Sequence, residues 1–177
     1  MPIAFEIADR IFREEKQLLR PFRWRSVESK NMNEQRRCLE CRVDVAGGVP
    51  RGVQFRITVY PGSLARATFQ LECDLPAGRT HVPLYRLELG PRRGHMNKLY
   101  GTGDLPGLIL AAGETHEHLF YDSLRSDKSL RASAVEQARR IETPPADFPT
   151  ALALVCSRNN IINGSDIPNP GDQGRLL

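Results

Sequence analysis

No stretch of this sequence approaches the roughly 18–20 consecutive apolar residues that span a bilayer. Glu6 and Asp9 break up the apolar residues near the start, unlike the uninterrupted core of a secretory signal. Both features predict a cytoplasmic protein with no membrane partner. Cysteine is scarce as well, limited to Cys38, Cys41, Cys73 and Cys156. Cys38 and Cys41 form a Cys-x-x-Cys, which would be half a zinc site or a redox pair, but no second close pair exists to complete a zinc site. A redox pair should open a helix, whereas these two lie within Arg37–Val45, a strand pattern in which residues three apart face opposite ways. All four are therefore expected to be reduced structural thiols, as a reducing compartment allows.

Lysine is also rare, since 21 of the 25 basic residues are arginine. The net charge of +4 and pI of about 9.1 permit a nucleic-acid partner without demanding one. Arginine can grip a phosphate with two parallel hydrogen bonds where lysine cannot. A length of 177 residues suits one domain and buries a core without disulfides or structural metal. Residues 1–162 read as a single α+β domain. Residues 163–177, polar with several Gly and Pro, read as a mobile tail. No internal repeat is visible.

Ile3–Leu19 reads as an amphipathic helix, with Ala4, Ala8, Ile11 and Leu18 at helical spacing and Pro21 ending it. Phe22-Arg23-Trp24-Arg25 interleaves rings and cations, either as a stacking patch for nucleic acid or, more simply, with rings on the core and arginines in water. Four strand patterns follow. Leu39, Cys41, Val43 and Val45 alternate with polar residues, as do Val53, Phe55, Ile57 and Val59, then Ala65, Ala67, Phe69 and Leu71, then Tyr85, Leu87 and Leu89. Turns are marked by Gly47-Gly48 with Pro50, by Pro61-Gly62 and by Pro76-Ala77-Gly78. Thr115–Asp122 reads as a fifth strand, after a Gly- and Pro-rich loop at Gly90–Gly113. The expected fold is an antiparallel meander of about five strands, with an N-terminal helix on its apolar face and helices at its C-terminal end. Ser133 and Glu136 fit a capping box for a short helix through Ala134, Val135, Ala138 and Ile141. Asp147 caps a last helix with Pro149 in its first turn and Leu152, Val155 and Cys156 buried.

The opposite, polar face of the meander carries Arg42, Arg56, Arg66 and Arg86, the first three forming a candidate nucleic-acid surface. His116-x-His118 on the fifth strand puts two imidazoles on one face, with Asp122 and Phe120 on the same parity. His95-x-Asn97 lies in the long loop. Arg86 and Glu88 share the polar parity of the fourth strand. Two chemistries suit this set. In one, His95, His116 and His118 bind a divalent metal such as zinc and leave a further position for water. In the other, one histidine acts as general base on a ribose hydroxyl and another as general acid, while Arg86 steadies the phosphate. The plainer alternative is that these histidines bond backbone or solvent without function. His81, at the start of the fourth strand, reads as structural.

The run Arg86-Leu87-Glu88, then Gly94-His95-Met96-Asn97, then Thr115-His116-Glu117-His118-Leu119-Phe120-Tyr121 resembles a pattern in small uncharacterised bacterial families. In these, Arg-hydrophobic-Asp/Glu precedes His-x-Asn and a Pro-His-x-His followed by an aromatic. Thr115 stands here where proline is usual, and Lys98–Glu114 lacks an Asn-Pro-Asp-Gly type of sequence. A related arrangement is similar to the toxin component of some toxin–antitoxin modules. The resemblance implies an RNA-binding or RNA-cleaving protein, with His95, His116, His118, Arg86 and Glu88 as the site and an antitoxin-like protein as a partner. Two other functions fit the residues: a metal-dependent hydrolase of small molecules, and a non-enzymatic interaction protein of a mobile element or phage-defence system.

Overall fold

The computed structural model describes residues 5–28, 35–46, 52–60, 63–74, 81–101, 103–124 and 135–171. The turns expected at Gly47-Gly48 with Pro50, at Pro61-Gly62 and at Pro76-Ala77-Gly78 lie outside these residues, as do Ile3, Ala4, Ser133 and Ala134. In chain order the elements are helix α1 (Phe5–Arg13) and strands β1 (Lys16–Leu18), β2 (Trp24–Glu28), β3 (Gln35–Val45), β4 (Val53–Tyr60), β5 (Ser63–Asp74), β6 (His81–Leu89), β7 (His95–Met96), β8 (Ile109–Leu110) and β9 (His116–Leu119). A 3-10 turn (Phe120–Ser123), strand β10 (Ala138–Arg140), helix α2 (Phe148–Arg158) and a second 3-10 turn (Gly164–Asp166) complete them.

Among the described residues, one antiparallel sheet runs in the order β1-β3-β4-β5-β6-β9-β10, with β2 also paired to β3. The fold is α+β, as the alternation implies, but the sheet has eight strands rather than about five. The additional strands are short, and β1 and β10, at three residues each, carry no periodic signal. Where the alternation is long it is decisive. Val53, Phe55, Ile57 and Val59 of β4 are buried while their neighbours are half-exposed. A slip of one residue would turn that whole set to the other face. Leu84 departs from its expected polar parity because the β5–β6 register shifts beside it, and it is fully buried with Tyr85.

Four further expectations are corrected. The first helix ends at Arg13, and Lys16–Leu18 instead pairs with β3. The Lys16 ammonium is buried and donates to the carbonyls of Phe12 (2.9 Å), Glu14 (2.6 Å) and Asn159 (2.8 Å), joining the ends of both helices. The segment through Val135, Ala138 and Ile141 is not a helix, since Ala138–Arg140 pairs with β9. The fifth strand stops at Leu119, and the 3-10 turn then swings Phe120 into the core. The Gly90–Gly113 loop is not featureless, as it holds the β7–β8 pair.

The core lies on the apolar face of the sheet. α2, with Asp147 as cap in a capping box closed by Thr150, sets Phe148 against Phe69 (5.3 Å between ring centroids) and Trp24 (6.0 Å). Helix α1 covers the other end, where Phe12 meets Tyr85, Phe120 and Tyr121. Phe22 and Trp24 are buried and Arg23 and Arg25 exposed, so that segment packs its rings inward. Residues 163–171 run against β1–β3, with Asn163 bonded to both backbone groups of Leu18 and Pro168 accepting from the Trp24 indole. The cysteines are free. Burial pushes Cys41 and Cys73 up to about 12 and Cys156 to about 11, which keeps them as unreactive thiols. No helix among the described residues is long and apolar enough to cross a membrane.

Candidate metal centre

The registers of β6, β9 and β10 set the site. Arg86 stands opposite His118 and Glu88 opposite His116, while Leu87 and Glu117 occupy the other face. Beyond β9, Ala138 stands opposite His118 and Arg140 opposite His116. Because the strand gives way to a 3-10 turn at Phe120, that ring joins the core while both histidines stay on the polar face. The parity conflict in the sequence is thereby removed.

His95 comes from β7 and closes over the pair. Ring centroids are 5.6 Å from His95 to His116, 4.9 Å from His95 to His118 and 5.0 Å from His116 to His118. One nitrogen from each ring lies within 4.8 Å of the others. In a tetrahedral site with bonds near 2.1 Å, such nitrogens would be about 3.4 Å apart. Small ring movements therefore suffice to close the set on an ion.

Backbone carbonyls fix two of the tautomers. The carbonyl of Glu114 accepts from His116 Nδ1 (2.8 Å), so in the neutral ring Nε2 carries the lone pair. The carbonyl of Glu136 accepts from His95 Nε2 (3.2 Å), which leaves Nδ1 with the lone pair. A ring N–H tied to a carbonyl is the usual outer-shell support of a metal-bound histidine. His116 Nε2 and both nitrogens of His118 are buried without a partner at hydrogen-bond geometry. Burial first, then electrostatic interaction with its neighbours His116, His95 and Arg86, holds the His118 pKa well below the ordinary range. His118 is thus the neutral imidazole that metal binding requires.

The position of His95 depends on Asn97. The Asn97 side chain is buried, accepts from Ala138 N (2.7 Å) and donates to the carbonyls of Ala138 (2.9 Å) and Leu105 (2.8 Å). It pairs with the edge of β10 as another strand would. Gln137 adds bonds to the carbonyls of Lys98 (3.2 Å) and Tyr100. The His-x-Asn spacing carried the signal for Asn97, but its role depends on β10.

The remaining candidates are distributed around this centre. Glu88 Oε2 is 3.8 Å from His116 Nε2, and Arg86 reaches Gln70 (2.8 Å) and Glu88 (3.5 Å). Arg56 lies between Glu40 (2.8 Å) and Glu72 (3.0 Å) further along the face. Arg66 stacks on Tyr60 (4.4 Å), and Arg42 is exposed on β3. Asp122 is held by Arg139 rather than by the histidines, and His81 pairs with Asp74 at 2.5 Å. Glu117, between the two histidines in sequence, is buried on the opposite face, where it accepts from Tyr85 (2.9 Å) and pairs with Arg158 (3.5 Å).

A pocket of about 300 Å³ opens beside the centre and is lined in part by His95, Glu88, Arg92 and Arg93. The two adjacent arginines were not among the candidates read from the sequence, although their place between Pro91 and Gly94 could have drawn attention. Comparison with family models, curated proteins and solved structures finds no match for this chain.

Proposed function

We propose that this protein is a divalent-metal-dependent hydrolase, with His95, His116 and His118 as ligands and Glu88 as the base acting on water. The observation that supports this most is the convergence of one nitrogen from each of three imidazoles within 4.8 Å. Imidazole donors suit zinc among the common divalent ions. Three protein ligands leave a further coordination position for water, whose pKa a bound ion lowers toward 7. Glu88 lines the pocket, and its Oε2 lies 3.8 Å from His116 Nε2.

Acid–base cleavage of RNA by the histidines alone has less support. A general acid or base must come within hydrogen-bond distance of the reacting group, and His116 and His118 are 0% and 1% exposed. Only His95 and Glu88 of this set line the pocket. The Arg56 charge is matched by two carboxylates, which interrupts a phosphate track from Arg42 to Arg66.

The test is hydrolysis of a panel of chromogenic esters and phosphoesters by zinc- or manganese-loaded protein. Activity should depend on added metal, disappear with a chelator, and be lost in Glu88→Gln with metal still bound. Activity that survives full chelation would overturn the reading.

A further inference from the structure

We infer that Arg86 is a positioning residue for the histidine centre, holding the Glu88 carboxylate beside the metal ion rather than on it, so that one coordination position stays open to water; this rests on the hydrolase reading above. The sheet registers bring Arg86 there. Glu40, Arg56, Gln70, Arg86 and His118 stand opposite one another on β3, β4, β5, β6 and β9. One row of polar residues therefore crosses the sheet and ends at the histidines, each close enough to its neighbour to interact.

Arg86 makes its two contacts with different nitrogens. Its Nε donates to Gln70 Oε1 (2.8 Å), and its Nη1 donates to Glu88 Oε1 (3.5 Å). The Gln70 amide is fixed in turn, because its Nε2 donates to Glu72 Oε2 (2.7 Å). A donor on one side and an acceptor on the other decide which end of that amide faces Arg86. Gln70 and Glu72 are both buried, and Glu72 also pairs with Arg56 (3.0 Å). Arg86 thus reaches Glu88 from a buried support. Its planar guanidinium can serve both partners at once, which a lysine ammonium on a flexible stem does poorly.

The Glu88 carboxylate lies on the boundary between neighbour and ligand. Its Oε2 is 3.8 Å from His116 Nε2, against about 3.4 Å between two ligand atoms of a tetrahedral site. A small shift toward the ion would make Glu88 a fourth ligand and fill the water position. Arg86 opposes that shift by engaging Oε1, the oxygen turned away from this contact. Without the guanidinium, the carboxylate loses that partner and the ion becomes its competitor for both oxygens.

The test is calorimetric titration of the metal-free full-length chain with zinc, for wild type, Arg86→Met, Glu88→Gln and the Arg86→Met, Glu88→Gln double variant. Arg86→Met should bind zinc about tenfold more tightly than wild type, a change of the size that outer-shell partners produce. The gain should vanish in the double variant, because it needs the Glu88 carboxylate. With manganese in place of zinc, Arg86→Met should also relax water protons less than wild type, since a bound water has been displaced. Affinity in Arg86→Met no higher than in wild type overturns the proposal. A gain that persists in the double variant also overturns it, since that is the effect of merely removing a positive charge. Absence of zinc binding by folded wild type refutes the metal site itself, a failure read from wild type alone. Should Arg86→Met not fold, Gln70→Met decides by the same comparison with and without Glu88→Gln: tighter binding that needs Glu88 supports the proposal, and unchanged affinity overturns it.

Discussion

The Asn97 side-chain amide pairs with both backbone groups of Ala138, at 2.7 and 2.9 Å, as a neighbouring strand would. This joins the β7–β8 pair to the edge of the main sheet and holds His95 above His116 and His118. Replacing Asn97 with Ala leaves a buried donor and acceptor of Ala138 unpaired, each costing about 1–3 kcal/mol. Metal affinity should fall as well, by about 10–100-fold, as for loss of an outer-shell partner. Denaturant unfolding and zinc titration measure the two effects. Unchanged metal affinity with reduced stability would limit Asn97 to a structural role.

On the other face, Glu117 gives a contrasting prediction. It joins the Tyr85 hydroxyl to Arg158 near the end of α2. Tyr85→Phe should cost about 1.5–3 kcal/mol by removing a buried hydrogen bond to a charged group, with zinc stoichiometry unchanged. Loss of zinc binding in that variant would show that the two faces of β9 are coupled.

These two cases show what the sequence could convey. The alternation in β3 to β6 was legible because each strand buries one parity over many residues. Three-residue strands such as β10 lack that signal, and the spacing of Val135, Ala138 and Ile141 imitated a helix. Pairing with His118 and Asn97 determines that segment, and both are distant in sequence. The placement of His116 with His118 followed from strand parity alone. Their union with His95 depended on Asn97, and Arg92 and Arg93 were missed because a loop pair has no periodicity to reveal where it points.

Lys16 predicts a pH dependence. Burial lowers its ammonium from 10.5 to about 8, opposed in part by Glu14. Between these values the unfolded chain retains a proton that the folded chain has released. Raising the pH therefore favours the folded state across this window. Stability of wild type relative to Lys16→Met should rise from pH 8 to 10.5 in chemical denaturation. A relative fall over the same range would contradict this.

If Arg42, Arg56 and Arg66 form a nucleic-acid surface, RNA affinity should drop steeply with salt as counterions are released. With Arg56 matched by Glu40 and Glu72, a shallow dependence is expected, of about one or two phosphate contacts. A steep dependence in a filter-binding salt series would restore the RNA-binding reading.

The three-histidine centre is tested most directly by titrating the metal-free chain with zinc or cobalt and measuring bound metal per chain. A three-histidine site should hold one ion per chain in wild type, with a higher melting temperature on binding because the ion binds only the folded state, and both should be lost in His118→Ala. No bound metal in folded wild-type protein, or full binding in folded His118→Ala, would contradict it.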